Sequence, residues 1–160
     1  MEGEIPQLFG DDAVEIPGAR SLLGKIEGAG IPWAVVTSGT RPLVEGWLKI
    51  LALAMPPCLV TAEDVKEGKP DPACYHLGKQ RLGLEGWEKV LVIEDAPAGI
   101  RAGKAAGFEV LALATTHRTE ELVDAGADWI VRNLESVRIE TGEERLGAVR
   151  LSFINTYRIQ

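Results

Sequence analysis

At 160 residues the chain has the length of one ordinary domain, with room for a sizeable core. Its 46% apolar and 26% charged residues, with 18 glycines and 9 prolines, exclude disordered, collagen-like and disulfide-stapled classes. A formal charge of −7 offers nothing to a phosphate backbone or an anionic bilayer, so neither nucleic acid nor membrane is expected as a partner.

Residues 1–10 show no period, and Asp11-Asp12 followed by Ile16-Pro17-Gly18 reads as turn and helix-entry chemistry. Over residues 19–29, Leu22, Leu23 and Ile26 share one helical face, and Gly28 and Gly30 are placed to end the helix. Trp33-Ala34-Val35-Val36-Thr37 is a nearly continuous apolar run, the pattern of a strand buried on both faces of a parallel sheet. Helical spacing returns over 41–53. Leu59-Val60, then Val90-Leu91-Val92-Ile93, then 110–113 and 129–131 read as further strands, with helices expected at 72–82, 98–106 and 119–125. This alternation predicts an α/β fold with a mainly parallel sheet flanked by helices. Beyond it, Val149, Leu151, Phe153, Tyr157 and Ile159 alternate with polar residues, as in a half-exposed strand. With residues 138–140 before it and Thr141-Gly142 between, a C-terminal β-hairpin is expected.

Cys58 and Cys74 lack metal-ligand spacing, and no basic start precedes an apolar run, so a reduced, cytoplasmic setting is expected. The apolar runs fall short of the ~20 residues a membrane helix needs. His76 and His117 pair with no cysteine or serine by spacing and read as helix-surface or loop residues. Trp33, Trp47, Trp87 and Trp129 are scattered, as core and helix packing requires.

In open α/β sheets ligands collect beyond the carboxyl ends of the strands. Three such ends carry unusual chemistry. Thr37-Ser38-Gly39-Thr40 offers hydroxyls and backbone N–H groups before a helix, which is either a helix cap or an anion-binding turn. Arg41 comes next and is a candidate anion contact. Glu67-Gly68-Lys69-Pro70-Asp71-Pro72 holds a lysine between a glycine and two prolines, which would fix its stem. Val92-Ile93-Glu94-Asp95-Ala96-Pro97 ends a buried strand on two adjacent carboxylates, which repel unless a cation is near. Magnesium, contact with Lys69, or simple capping of the next helix would each explain the pair.

Taken in order, Thr-Ser-Gly, Gly-Lys-Pro-Asp-Pro and Glu-Asp-Ala-Pro-Ala-Gly-Ile resemble the haloacid dehalogenase-like superfamily, especially its glycerol and small-sugar phosphate phosphatases. The resemblance runs from about Phe9 to Val137 and includes Val60-Thr61-Ala62-Glu63-Asp64-Val65 and Ala125-Gly126-Ala127-Asp128-Trp129. It implies a Rossmannoid core over residues 14–137, with 1–13 a connector and 138–160 the terminal hairpin, in a single truncated domain. It further implies that Ser38, aided by Thr37 and Gly39, binds the phosphoryl oxygen, that Lys69 neutralises the phosphate and the nucleophile, and that Asp95 holds magnesium with Glu94 beside it as a second or outer ligand. Lys69, Asp95 and Glu94 are thereby the catalytic candidates.

The family's nucleophile, the first carboxylate of an Asp-x-Asp motif, has no counterpart here. Before Thr37 the only aspartates are Asp11 and Asp12, which come after no apolar run. The chain therefore corresponds to the later part of such a phosphatase, lacking the central strand and most of the cap, and hydrolysis through an aspartyl phosphate is not expected of it alone. Expected instead is a repurposed enzyme using the residual pocket on a small anionic metabolite. The alternatives are a magnesium-dependent polyol or sugar phosphatase that takes its aspartate from outside, or a non-catalytic remnant. Without the central strand, either the two flanking strands close up or another copy of the chain pairs with them, making a homo-oligomer.

Overall fold

The computed structural model describes residues 4–84, 86, 89–141, 149–154 and 156–158; the expectations for Trp87, Gly142 and Ile159 lie outside these. In chain order come α1 (Ile5–Phe9), α2 (Ala19–Gly28), β1 (Val35–Val36), α3 (Arg41–Ile50), β2 (Leu59–Val60) and α4 (Ala73–Arg81). Next are β3 (Leu91–Glu94), α5 (Pro97–Ala105), β4 (Glu109–Leu113), α6 (Thr119–Asp124), β5 (Trp129–Val131), β6 (Val137–Thr141), β7 (Val149–Phe153) and β8 (Tyr157–Arg158). The chain is α/β, as its alternating periods predict. Among the described residues no helix is long and apolar enough to cross a membrane.

The strands form three groups: β1 with β2, parallel; β3, β4, β5 and β8 in that order; and the antiparallel hairpin of β6 and β7. Two-residue alternation explains the core. Along β4, Val110 and Ala112 enter one apolar cluster with Val60, Val92, Ile100 and Leu122, while Leu111 and Leu113 enter a second with Leu22, Val131 and Val137. A strand buried on both faces needs apolar residues at every position, which is the continuous run seen in the sequence.

Two sequence expectations change. The terminal strand read from 149 to 159 is broken: β7 pairs with β6, whereas β8 crosses over and joins β5 antiparallel. The expected closure of the strands around the missing centre does not form, since β1 and β3 share no pairing among the described residues. Helix α4 lies on β1 and β2, α5 lies on β3 and β4, and α4 touches α5. On the open edge of β1 the Val36 carbonyl, which a β1–β3 ladder would use, is taken instead by the Lys69 ammonium.

Residues read as a connector form α1, whose buried Pro6 sits against Gly46 of α3. Arg20 closes the other end of α3: its guanidinium donates to the carbonyls of Ala52 and Leu51 at 2.7 Å each, satisfying acceptors that a helix terminus leaves orphaned. Gly18, at φ 89°, precedes α2 where a Cβ would run into the Leu134-Glu135 backbone.

Two polar clamps support the layers. Lys104 of α5 donates to both oxygens of Asp128 at 2.7 Å, and Asp128 Oδ2 also accepts the Val110 N–H at 2.7 Å. Val110 is fully buried, so Asp128→Ala orphans a buried donor and is expected to lower stability by about 2 kcal/mol in urea unfolding. Asp64 accepts from Arg81 at 2.6 Å and from the Thr61 N–H and hydroxyl at 2.8 and 2.9 Å. These bonds, Arg81's first, hold its carboxyl well below the usual carboxylate range. A depressed folded pKa gives stability that is present above the unfolded value, about 3.9, and is lost as pH falls below it. Melting temperature is therefore expected to fall from about pH 4 downward, and Asp64→Asn to destabilise at neutral pH while flattening that acid slope.

Candidate functional site

The carboxyl ends of β1 and β3 face each other across a slot. A cavity of about 480 Å³ occupies it, walled by Val36, Ile93, Leu113 and Ile16, with Thr37, Ser38, Lys69, Glu94 and Asp95 at its polar end. Edge exposure shows in the strand itself, where Ile93 is 37% exposed although its neighbour Val92 is buried.

Lys69 spans the slot. Its ammonium donates to the Val36 carbonyl at 3.0 Å on the β1 side and to Glu94 Oε1 on the β3 side. An ammonium carries three donors, so one remains for a ligand. The turn that delivers Lys69 leads directly into α4, whose first residue's N–H, that of Ala73, is bonded by Asp71 Oδ1 at 2.8 Å.

Glu94 is fully engaged. Its Oε1 accepts from Lys69 and from the Tyr75 hydroxyl at 2.7 Å, and its Oε2 accepts the N–H groups of Asp95 and Ala96 at 3.1 and 3.3 Å. The pair is nearly dry, with side chains 11% and 9% exposed. Burial, then the Glu94 charge, pushes the Tyr75 hydroxyl far above its ordinary value, so it stays protonated and acts as the donor. Gly99, in the first turn of α5, lets the helix backbone approach the Glu94 carboxyl directly.

Asp95 is oriented from the loop after β4. The Thr116 hydroxyl donates to Asp95 Oδ2 at 2.7 Å, and His117 Nδ1 lies 3.1 Å from the Asp95 carbonyl and 2.9 Å from Thr116 Oγ1. Asp95 Oδ1 has no protein partner among the described residues.

The structure gathers Thr37, Ser38, Lys69, Glu94 and Asp95 around one cavity, but not Gly39 or Arg41. The Gly39 N–H donates to Thr37 Oγ1 at 3.1 Å, closing a local turn. Arg41 is drawn away by acidic neighbours: its guanidinium meets Asp64 at 3.4 Å and Glu45 at 3.9 Å. Its N–H at the start of α3 donates to Glu63 at 3.1 Å, so a remote carboxylate serves the helix terminus that the sequence offers to an anion. Ser38 stays exposed with its hydroxyl unpartnered among the described residues. Asp11 and Asp12, exposed in a 3-10 turn after α1, do not line the cavity. His76 is an exposed helix residue set edge-on to Phe108, matching its sequence reading.

Tyr75, Thr116 and His117 are the functional neighbours that sequence reasoning missed. Thr116 and His117 lie just past the apolar run of β4, and the strand-end rule applied to that fourth strand finds them. Tyr75 gives no such signal, since a helical aromatic reads as core.

For magnesium, which takes one or two carboxylates among six oxygens, Asp95 is a suitable ligand. Glu94 is not, because its four acceptor sites are spent on protein donors. Among the described residues no group of three His, Cys, Asp or Glu converges. These residues therefore supply one ligand and fall short of a metal site of their own.

Residues 5–107 match the profile of a hydrolase family described as haloacid dehalogenase-like hydrolase. The chain belongs to the haloacid dehalogenase-like hydrolases. Within that family it is 43% identical over 162 residues to glycerol-1-phosphate phosphohydrolase 1 of Saccharomyces cerevisiae, covering 96% of this chain and 64% of the relative. Hexitol phosphatase A of Escherichia coli is 46% identical over 124 residues, covering 78% of this chain and 56% of the relative. The haloacid dehalogenase-like fold is shared with the crystal structure of CbbY from Rhodobacter sphaeroides in complex with phosphate. That match has a TM-score of 0.70 at 26% identity, over 82% of this chain and 60% of that one. The chain spans about three fifths of the length of the relatives it matches.

Proposed function

We propose that these residues form the phosphate-gripping part of a phosphatase for a small polyol or sugar phosphate, working with a carboxylate that enters from outside this sequence. The observation that carries this reading is Lys69, held across the slot by Val36 and Glu94 with one N–H left over. Ser38 and Lys69 then bind the phosphoryl group, and Asp95 supplies a carboxylate for a magnesium ion, whose charge would offset that of the phosphate. The incoming segment would be an extended strand, parallel to β1 and β3, since each of these has one edge without a strand partner among the described residues. Relatives support the substrate class: one is named for glycerol 1-phosphate, another for hexitol phosphate.

The geometry favours this over a repurposed acid–base catalyst. Glu94 has no free lone pair for a substrate proton. Incubation of the chain with magnesium and glycerol 1-phosphate is expected to give only background phosphate release. Adding an extended apolar peptide ending in Asp-x-Asp is expected to raise it. Turnover by the chain alone, or none with the peptide present, rejects the proposal.

The same open edges favour self-association where no strand fills the slot, and light scattering at micromolar concentration is then expected to show more than the monomer mass.

A further inference from the structure

We infer that Tyr75 is a positioning residue that sets how strongly Lys69 grips an anion, and that Glu94 is the counter-ion through which it acts. This rests on the reading of the slot as an anion site. Tyr75 does not line the cavity, but its hydroxyl lies 2.7 Å from Glu94 Oε1, the same oxygen that accepts from Lys69. Its ring stands 5.1 Å from the Lys69 ammonium. The residue is 7% exposed and packs in the core with Val60, Val92 and Ile100.

A phenylalanine would serve that core equally well. A buried hydroxyl is costly unless bonded, and this one spends its bond on Oε1. The bond acts in two ways. With two donors on one oxygen, each receives a smaller share of the carboxylate charge, so the ammonium keeps more of its own for a ligand. Glu94 is also pinned from three sides, by Tyr75, by the Asp95 and Ala96 N–H groups, and by the backbone at Gly99, so it cannot follow Lys69 into the cavity. The ammonium's remaining donor is thereby left to the slot. Without the hydroxyl, Glu94 Oε1 has Lys69 as its sole donor, and the pair tightens at the anion's expense.

The test is titration of the whole chain with inorganic phosphate by calorimetry, for the unsubstituted protein, Tyr75→Phe and Lys69→Met, each well below its melting temperature. Tyr75→Phe is expected to weaken phosphate binding about fivefold, less than the roughly tenfold or more of a direct hydrogen bond to a charged group, because the hydroxyl acts on the anion only through Glu94 and Lys69. The melting temperature of Tyr75→Phe is read beside it, and weaker phosphate binding at a melting temperature within a few degrees of the unsubstituted protein's separates the hydroxyl's effect from loss of packing. Lys69→Met is expected to abolish binding. Phosphate affinity within twofold in Tyr75→Phe, with Lys69→Met still defective, overturns the role of Tyr75 alone. Absence of phosphate binding by the unsubstituted chain, or binding that Lys69→Met leaves intact, overturns the anion site and this inference with it.

Discussion

Lys69→Met is expected to lower stability by about 3–5 kcal/mol in urea unfolding, besides ending phosphate binding. The reason lies with the partner left behind. Glu94 is 9% exposed at its side chain and would be left buried without its cation, while the Val36 carbonyl at the slot loses its donor as well. Methionine fills the space of the lysine stem, so lost packing contributes little. If the cost comes from the orphaned charge, the double variant Lys69→Met, Glu94→Gln recovers much of the loss, because an amide can be buried more cheaply than a carboxylate. A loss below about 1 kcal/mol in the single variant, the range of exposed ion pairs, would mean that solvent already screens this one.

Gly99→Ala is expected to cost about 2–3 kcal/mol, opposite in sign to what helix propensity alone predicts. Gly99 sits in the first turn of α5, where alanine would ordinarily gain about 1 kcal/mol. Here a methyl group would overlap the Glu94 carboxyl, and that carboxyl cannot turn aside without giving up bonds to Lys69, Tyr75, Asp95 and Ala96. The substitution is therefore expected to weaken phosphate binding along with stability, since moving Glu94 moves Lys69. Chemical unfolding and phosphate titration of the same variant check both; a stabilised protein with unchanged affinity would show that the approach of helix and carboxyl is loose.

Much of the site is legible in the sequence. Ser38, Lys69 and Asp95 all lie in the segments that succeed apolar runs, and parallel strands bring their carboxyl ends to one edge whatever the sequence between them. Legibility fails where a side chain's partner comes from elsewhere in the chain. Arg41 stands beside the loop in sequence, yet Asp64 and Glu45 take its guanidinium. Glu94 carries the right chemistry for a metal, yet Lys69 and Tyr75 use its charge. Tyr75 is invisible because a helical aromatic looks the same whether or not its hydroxyl meets a carboxylate.

The 160-residue sequence alone determined the alternation of strand and helix, the parallel pairing, and the segments that carry the polar groups, all of which follow from local periodicity. Only the tertiary structure decided that β1 and β3 stay apart, that the terminal strand splits between a hairpin and the edge of the sheet, and that Lys69 bridges the slot. Those outcomes depend on contacts between segments far apart in the chain. The Val36 carbonyl on the open edge of β1 goes to Lys69, 33 residues away, rather than to a strand, and no periodicity along the chain encodes such a partner.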